Sequence, residues 1–170
     1  EELDKRLRLL RPGAVVVDLG AAPGGWSEYA AGKIGPIGRV LALDILPMEP
    51  LPAVEFVLGD FTEDAALQQL LGALGGAHAD LVMSDMAPNI SGLRSVDQPR
   101  SMYLAELACD LACKTLTSGG SFVTKVFMGE GFDQLLGTCR ETFNSVKVVK
   151  PAASRSESRE TYIAAVGFGL

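Results

Sequence analysis

The chain is poor in the residues that build disulfide frameworks, zinc clusters and histidine-based catalysis. Its 170 residues include three cysteines, Cys109, Cys113 and Cys139, with no C-x-x-C pair, and a single histidine, His78. An odd number of unpaired cysteines favours neither disulfides nor a zinc site. Reduced thiols indicate a cytoplasmic protein. A Ser-His-Asp triad would depend on a histidine in a Gly/Ala-rich segment and is disfavoured.

Long hydrophobic runs are also absent. The uninterrupted apolar runs fall well short of the roughly 20 residues that a membrane span needs. The charged start, residues 1–5, does not resemble a signal peptide, and we expect a soluble protein. A composition of 48% hydrophobic and 21% charged residues predicts one folded domain. The net charge of −6 argues against a nucleic-acid partner unless the basic residues are clustered.

A glycine-rich turn joins the first predicted strand to the helix after it. Residues 15–17 are three consecutive valines, typical of a parallel strand that is buried on both faces. Gly20, Gly24 and Gly25 permit a sharp turn and the close approach of a ligand. The spacing is not G-x-G-x-x-G, and Pro23 removes an amide that a pyrophosphate would use, so NAD is disfavoured. A tight turn that binds nothing is the alternative from this stretch alone.

Each of four successive predicted strands ends on an acidic residue. The strands at residues 14–18, 39–44, 54–60 and 80–85 end on Asp18, Asp44, Asp60 and Asp85. Because the carboxyl ends of parallel strands meet at one edge of a sheet, we expect these side chains to line that edge. Asp44 lies near the position where a βαβ unit places a ribose-binding carboxylate, and a surface turn is the alternative for this residue.

Strands and helices alternate along the rest of the chain. Helices are predicted over residues 3–10, 24–33, 94–117 and 131–143, and another from a Thr62 cap to Gly75. Ser118-Gly119-Gly120 is expected to end the long helix before a strand at residues 121–127, and a final pair of strands is predicted at 146–149 and 161–166. The pattern predicts a doubly wound α/β sheet of about seven strands, mostly parallel, with a hairpin closing one edge.

Lys125 interrupts the fifth predicted strand. It stands between Thr124 and Val126 in an otherwise apolar segment. A lysine in a central strand needs a carboxylate partner or a function, because burying an unpaired charge is costly. An edge-strand lysine that reaches water is the alternative.

Four separated motifs carry a family resemblance. D-L-G-A-A-P-G-G-W-S (18–27), S-D-M-A-P-N (84–89), K-V-F (125–127) and S-R-E-x-Y (158–162) together resemble the FtsJ/RrmJ family of ribose 2′-O-methyltransferases. The resemblance runs from about residue 11 to the end, and it is to the bacterial type that modifies 23S ribosomal RNA. It implies a Rossmann-like fold of the methyltransferase type, S-adenosylmethionine as cofactor, and a uridine ribose of the large subunit as substrate. We expect a monomer.

The resemblance also assigns site residues. Asp85, Lys125 and Glu160 match three of the four residues of the family's Lys-Asp-Lys-Glu catalytic group. The first lysine of that group would fall upstream of Glu1. Either the first helix is cut short at its amino end, which we expect, or this member of the family lacks that lysine. The residues that match the family's cofactor site are Gly20, Gly24, Trp26, Asp44, Asp60 and Asp85.

The chemistry of this cofactor limits what the protein must supply. Because a sulfonium methyl group is already activated, the protein must position a 2′-hydroxyl in line and manage its proton. Lys125 could donate a hydrogen bond to that hydroxyl or accept its proton, and the two roles need opposite protonation states. With Asp85 and Glu160 nearby, we expect the charged lysine and a steering role.

Basic residues fall into three groups that could meet RNA at the mouth of the site. Each group could instead be a solvated face. The groups are Arg94 with Arg100, then Lys147, Lys150, Arg155 and Arg159, and finally Lys5, Arg6, Arg8 and Arg11. Two other functions stay open: a catalytically silent RNA-binding protein of ribosome assembly, and, less favoured, an NAD-dependent oxidoreductase.

Overall fold

Strands and helices alternate through most of the chain. The computed structural model describes residues 1–88, 91–150 and 160–170. The strands are β1 (Val15–Leu19), β2 (Arg39–Asp44), β3 (Val54–Leu58), β4 (Ala79–Ser84), β5 (Leu116–Phe127), β6 (Phe143–Val149) and β7 (Glu160–Phe168). The helices are α1 (Glu2–Leu7), α2 (Gly25–Ile34), α3 (Asp64–Leu74), α4 (Arg94–Thr115) and α5 (Phe132–Thr142).

The strands form one seven-stranded sheet in the order β3-β2-β1-β4-β5-β7-β6. The first five strands pair in parallel. β7 runs antiparallel to both β5 and β6. The predicted doubly wound, mostly parallel sheet with a C-terminal antiparallel strand is therefore confirmed.

Helices cover the sheet on both faces. On one face, α3, α4 and α5 contribute residues such as Leu70, Ala105 and Leu135 to the larger apolar core. On the other face, Ala30 and Ile34 of α2 are buried, and leucines of α1 pack against the same cluster. The valines of β1 alternate between the two cores, which explains why the strand carries no polar alternation. Within the described residues, no helix is long and apolar enough to cross a membrane.

The first helix is shorter than its leucine spacing predicts. It ends at Leu7, because Arg8 adopts a left-handed conformation with φ 52°. Asp4 Oδ1 accepts a hydrogen bond from the Leu10 amide at 2.9 Å, which folds the chain back across the end of the helix. Leu9 and Leu10 consequently pack against the sheet from a loop.

Other boundaries also differ from prediction. α4 ends at Thr115, before the predicted stop at residues 118–120, and β6 begins at Phe143, not at residue 146. α3 begins at Asp64 with Glu63 as its N-cap, so the predicted Thr62 cap is wrong. The Thr62 hydroxyl donates to Asp60 instead, at 2.6 Å. β5 begins at Leu116, not Ser121, because Leu116 pairs with Ala79 across a register shift and the glycines form an irregular extension of the strand.

Candidate active site

The four predicted aspartates lie together at the carboxyl edge of the sheet. Asp44, Asp60 and Asp85 line one cavity of about 390 Å³. Asp18 is fully buried behind it, at the end of β1. The parallel order of β3, β2, β1 and β4 brings these four strand ends side by side, as the sequence predicts.

The cavity depends on a glycine for its shape. Gly20 has φ +74°, and a Cβ there would lie 2.9 Å from the backbone of Met86 on the opposite wall. Only a glycine allows the two loops to approach this closely. The remaining lining comes from the loops after β1, β2, β3 and β4 and from α4, and it includes Ala22, Leu43, Ile45, Leu46, Phe61, Pro88 and Leu104.

Hydrogen bonds fix the two acids on the β2 and β3 side of the cavity. Asp44 accepts from the amides of Ala22 at 2.9 Å and Leu46 at 3.0 Å, and so ties the glycine-rich loop to the loop after β2. The hydroxyl and amide of Thr62 hold the pKa of the Asp60 carboxyl below its usual value. Asp60 is therefore anionic at neutral pH.

Asp18 is a carboxyl group inside the core. Its Oδ2 accepts a hydrogen bond from the Ser27 hydroxyl at 2.6 Å. Its Oδ1 is buried and has no hydrogen-bond partner among the described residues. Burial raises the pKa of Asp18 to about 7; the charges of Asp85 and Asp44 act in the same direction, and the Ser27 hydrogen bond opposes them. Sequence reasoning did not single out this perturbed acid.

Lys125 has the carboxylate partner that its place in a strand requires. Its Nζ lies 3.2 Å from Oδ1 of Asp85, and the two side chains are 12% and 33% exposed. The Tyr162 hydroxyl donates to the same oxygen at 3.1 Å. Burial, followed by the Asp85 charge, raises the pKa of Tyr162 far above its ordinary value, so the tyrosine remains a proton donor. Lys125, Asp85 and Tyr162 thus form one contiguous polar cluster.

Strand register places Glu160 in the same neighbourhood. Lys125 pairs with Tyr162, and Phe127 pairs with Glu160. Residues two apart on a strand point to the same face, so Glu160 stands two pairs along from Lys125, on the sheet face that carries Tyr162. The sequence motif contains Tyr162, but only the strand pairing reveals its contact with Asp85. Asn89, Ser158 and Arg159 of the motifs lie outside the described residues, as does Arg155.

Two of the predicted cofactor residues lie elsewhere. Trp26 packs against Tyr162, with ring centroids 5.8 Å apart, and lines a second, mostly apolar cavity of about 270 Å³. Gly24 is the N-cap of α2, where a Cβ would lie 2.9 Å from Leu51. Neither is in the lining of the cavity around Asp44 and Asp60. Their assignment to the cofactor site stays a prediction.

Polar residues near the start of α4 hold the loops on both sides of the cluster. Asp97 accepts from the amide and hydroxyl of Ser91, at 2.9 and 2.7 Å, and from the amide of Gly92 at 3.1 Å. These hydrogen bonds lower the pKa of the Asp97 carboxyl. Gln98 and Ser101 bind the backbone after β5. All three side chains are buried although the helix is polar at this end.

The three basic groups do not lie at one place. Arg94 and Arg100 are exposed at the start of α4, and Lys147 and Lys150 at the end of β6. Lys5 and Arg6 pair with glutamates of their own helix, at 2.6 and 4.0 Å. Arg8 and Arg11 line a cavity at the amino ends of the strands, with Gly13 and residues 117–121. The expectation that all three groups reach the mouth of the site is therefore wrong for Arg8 and Arg11.

The chemistry of the site follows from these positions. An acid-lined cavity with a close glycine wall suits a ligand that offers hydroxyls and positive charge, and does not suit a pyrophosphate. Next to it, an ammonium group held by a carboxylate, which itself accepts a hydrogen bond from a tyrosine, can orient a hydroxyl group.

Comparison with known proteins agrees with this arrangement. A sequence model for the FtsJ-like methyltransferase family matches residues 1–168. The ribosomal RNA large subunit methyltransferase E of Alkalilimnicola ehrlichii is 59% identical over 169 residues, 99% of this chain and 81% of the relative. The protein of the same name from Marinobacter nauticus is 55% identical over 167 residues, 98% of this chain and 81% of the relative.

Solved structures share the fold at lower identity. A crystal structure described as a ribosomal RNA methyltransferase of Plasmodium falciparum superposes with a TM-score of 0.86 at 24% identity, over 98% of this chain and 93% of that one. A fibrillarin/Nop5p complex superposes with a TM-score of 0.62 at 18% identity, over 94% of this chain and 75% of that one. The match of the family model, together with relatives at this level of identity, shows that the chain belongs to the FtsJ-like methyltransferase family.

Proposed function

We propose that this protein transfers a methyl group from S-adenosylmethionine to a ribose 2′-hydroxyl of RNA, and that the target is a uridine of 23S ribosomal RNA in the large subunit. The observation that carries the proposal is the Lys125–Asp85 pair, 3.2 Å apart, beside an acid-lined cavity at the carboxyl edge of the sheet. The names of the relatives, which describe large-subunit ribosomal RNA methyltransferases, support the substrate. We place the reaction in the cytoplasm, where ribosomal RNA is found.

The charge of the cavity lining supports this cofactor. Asp44 would hold the ribose hydroxyls and Asp60 the adenine side, while Gly20 and Asp85 would form the wall near the methionine part. Three carboxylates in the lining favour a ligand with a sulfonium and an ammonium group. When bound, S-adenosylmethionine supplies a methyl group on a positively charged sulfur.

The reacting hydroxyl is the part that this chain must control. Lys125, charged and held by Asp85, donates a hydrogen bond that orients the 2′-hydroxyl. Tyr162 fixes the Asp85 oxygen that Lys125 contacts, so the lysine has one preferred direction. Glu160, two strand pairs from Lys125, stands on the same face of the sheet as the lysine. As the new carbon–oxygen bond forms, the bond between the methyl carbon and the cofactor's sulfur would break, and the hydroxyl proton would pass to a carboxylate of this cluster or to water.

RNA contacts come from local basic residues in spite of the net charge of −6. Arg94, Arg100, Lys147 and Lys150 lie near the carboxyl edge of the sheet, where they can meet phosphates on both sides of the target nucleotide. The acidic remainder of the surface limits non-specific binding.

A methylation assay tests the proposal. Full-length protein would be incubated with methyl-labelled S-adenosylmethionine and, separately, large-subunit and small-subunit ribosomal RNA or subunits, and the RNA digested to nucleosides. We expect label in 2′-O-methyluridine from the large subunit alone. Label on a base, or RNA binding without transfer by a protein that binds S-adenosylhomocysteine, would contradict the proposal; the second result would identify a silent RNA-binding protein.

A further inference from the structure

We propose that Gln98 and Ser101 of α4 are positioning residues for Lys125, which they act on by holding the backbone where β5 ends. Ser101 Oγ accepts a hydrogen bond from the Phe127 amide at 3.1 Å. Gln98 Nε2 donates to the carbonyl oxygens of Glu130 at 2.8 Å and Phe127 at 3.4 Å. The inference rests on the proposed methyl transfer at Lys125.

The contact between α4 and this backbone is tight. Gln98 and Ser101 are 6% and 2% exposed. Gly129 has φ +148°, and a Cβ there would lie 2.9 Å from the side chain of Gln98. A buried glutamine is retained only where its amide group finds partners, because an unpaired amide is costly inside a protein. Residues 127–131, which we call the β5 exit loop, supply those partners.

Strand β5 connects Phe127, whose backbone Gln98 and Ser101 bind, to Lys125. Phe127 is two residues beyond Lys125 and pairs with Glu160 on β7. Fixing the Phe127 amide and carbonyl therefore fixes the end of both strands that carry the Lys125, Glu160 and Tyr162 side chains. A shift of this backbone would move Nζ of Lys125 away from Oδ1 of Asp85, now at 3.2 Å.

The same stretch of α4 also holds the loop that follows Asp85, the carboxylate partner of Lys125. Asp97, the neighbour of Gln98, holds Ser91 and Gly92 in the segment that follows Asp85. One stretch of helix thus binds the loops that follow β4 and β5. The distance between Lys125 and Asp85 therefore depends on β4 and β5, the two strands whose following loops α4 binds.

Replacing the two side chains tests the inference. Gln98→Met keeps the length of the side chain and removes its hydrogen bonds, and Ser101→Ala removes the acceptor for the Phe127 amide. We expect each to lower kcat about 10-fold and the double variant up to about 100-fold, because small displacements of reacting groups have effects of this size. KM for S-adenosylmethionine and Kd for S-adenosylhomocysteine should stay within twofold, since neither residue lines the Asp44 cavity.

Two matched variants separate positioning from general loss of stability. Gln69→Met makes the same chemical change at an exposed site on α3 and should leave kcat unchanged. Cys139→Ala removes a buried side chain from α5 and lowers stability without touching the β5 exit loop. If Cys139→Ala lowers kcat as much as Gln98→Met at an equal loss of Tm, the positioning role is wrong.

Hydrogen exchange gives a readout that does not depend on RNA methylation. In Ser101→Ala and Gln98→Met, the amides of residues 125–131 should exchange at least 10-fold faster than in wild type, while those of β1 stay unchanged. Faster exchange in the two variants, combined with a wild-type protein that does not methylate RNA, would uphold the contact and reject the proposed function. Unchanged exchange, or kcat within twofold of wild type in the double variant, would overturn the inference.

Discussion

Asp18 is a residue whose ionisation state depends on the fold. Burial raises its pKa to about 7, whereas an unfolded aspartate titrates near pH 3.9. Between these values the folded protein keeps a proton that the unfolded chain releases. The contribution of Asp18 to the free energy of unfolding therefore falls as the pH rises from about 4 to about 7, and stays level above that.

An Asp18→Asn substitution should remove this pH dependence. The amide keeps an oxygen to accept the Ser27 hydrogen bond and has no charge to bury. We expect the free energy of unfolding of the variant, relative to wild type, to rise by up to about 4 kcal/mol between pH 4 and pH 7. Urea unfolding across this range measures it, with Glu141→Gln on the surface as control. If the difference in free energy of unfolding between the variant and wild type does not vary with pH, Asp18 is ionised in the folded protein.

The ring and the hydroxyl of Tyr162 make different contacts, and a substitution can separate their contributions. Tyr162→Phe keeps the ring against Trp26 and removes the donor to Oδ1 of Asp85. A hydrogen bond to a charged group contributes about 1.5–3 kcal/mol, so we expect kcat to fall about 10-fold or more. Single-turnover methylation measures this, with Tyr103→Phe, exposed on α4, as the matched change. A rate within twofold of wild type would show that groups other than the Tyr162 hydroxyl position Asp85.

The sequence predicts the partners of some site residues and not of others. Lys125 stands out because a charge in an apolar strand needs a partner, and Asp85 follows a strand that turns out to be its neighbour. Asp18 looks the same as Asp44 and Asp60 in the sequence, because burial depends on which helix packs above it. Tyr162 and Gln98 lie in ordinary strand and helix patterns, and their polar partners come from segments 77 and 32 residues away.

At the scale of elements, α4 has two functions that its sequence does not distinguish. Its later turns bury Ala105, Ala108 and Ala112 against the sheet. Its first turns bury Asp97, Gln98 and Ser101, which bind the loops after β4 and β5. Periodicity predicts the helix and its apolar side, but it cannot predict buried polar positions whose partners are loop backbone.

The loop after β4 should be sensitive to Asp97. The loop contributes Met86, Ala87 and Pro88 to the cavity wall, and Asp97 accepts hydrogen bonds from its later residues. We expect Asp97→Ala to raise Kd for S-adenosylhomocysteine about 5- to 10-fold, as the loss of one or two net hydrogen bonds would. Calorimetry measures it, and Asp110→Ala, exposed on the same helix, should have no effect. Equal affinities for both variants would mean that the wall does not depend on Asp97.

Element boundaries were the least predictable part of the fold. Alternating strands and helices predict a mostly parallel, doubly wound sheet, but they do not predict the strand order, and β2 pairs in parallel with β3 although no helix lies between them. The ends of α1 and α3 depend on side chains that bind elsewhere: Asp4 binds the Leu10 amide, and Thr62 binds Asp60. The start of β5 depends on pairing with Ala79, which is distant in sequence.

For the molecule as a whole, the position of charge matters more than its sum. Lys147 and Lys150 lie at the end of β6, on the edge where Lys125 is found, while Arg8 and Arg11 line a cavity at the opposite edge. Two reversals at each place change the net charge equally. This difference in position provides an internal control for RNA binding.

Charge reversal at the two places should therefore differ in effect. We expect Lys147→Glu with Lys150→Glu to weaken RNA binding about 10-fold near 0.1 M salt and to lower the slope of log affinity against log salt by about 1–2, as the loss of two phosphate contacts predicts. Arg8→Glu with Arg11→Glu should change affinity less than threefold. Filter binding over a salt series measures both. Equal losses would indicate a general charge effect and no defined RNA surface.

The central claim is that Lys125, held by Asp85, acts on the ribose hydroxyl and not on the cofactor. The most direct measurement compares methyl transfer to large-subunit ribosomal RNA with binding of S-adenosylhomocysteine, in wild type, Lys125→Ala and the surface control Lys114→Ala. We predict no detectable transfer by Lys125→Ala, with Kd for S-adenosylhomocysteine within severalfold of wild type and full activity in Lys114→Ala. Retained turnover by a folded Lys125→Ala protein would contradict the account.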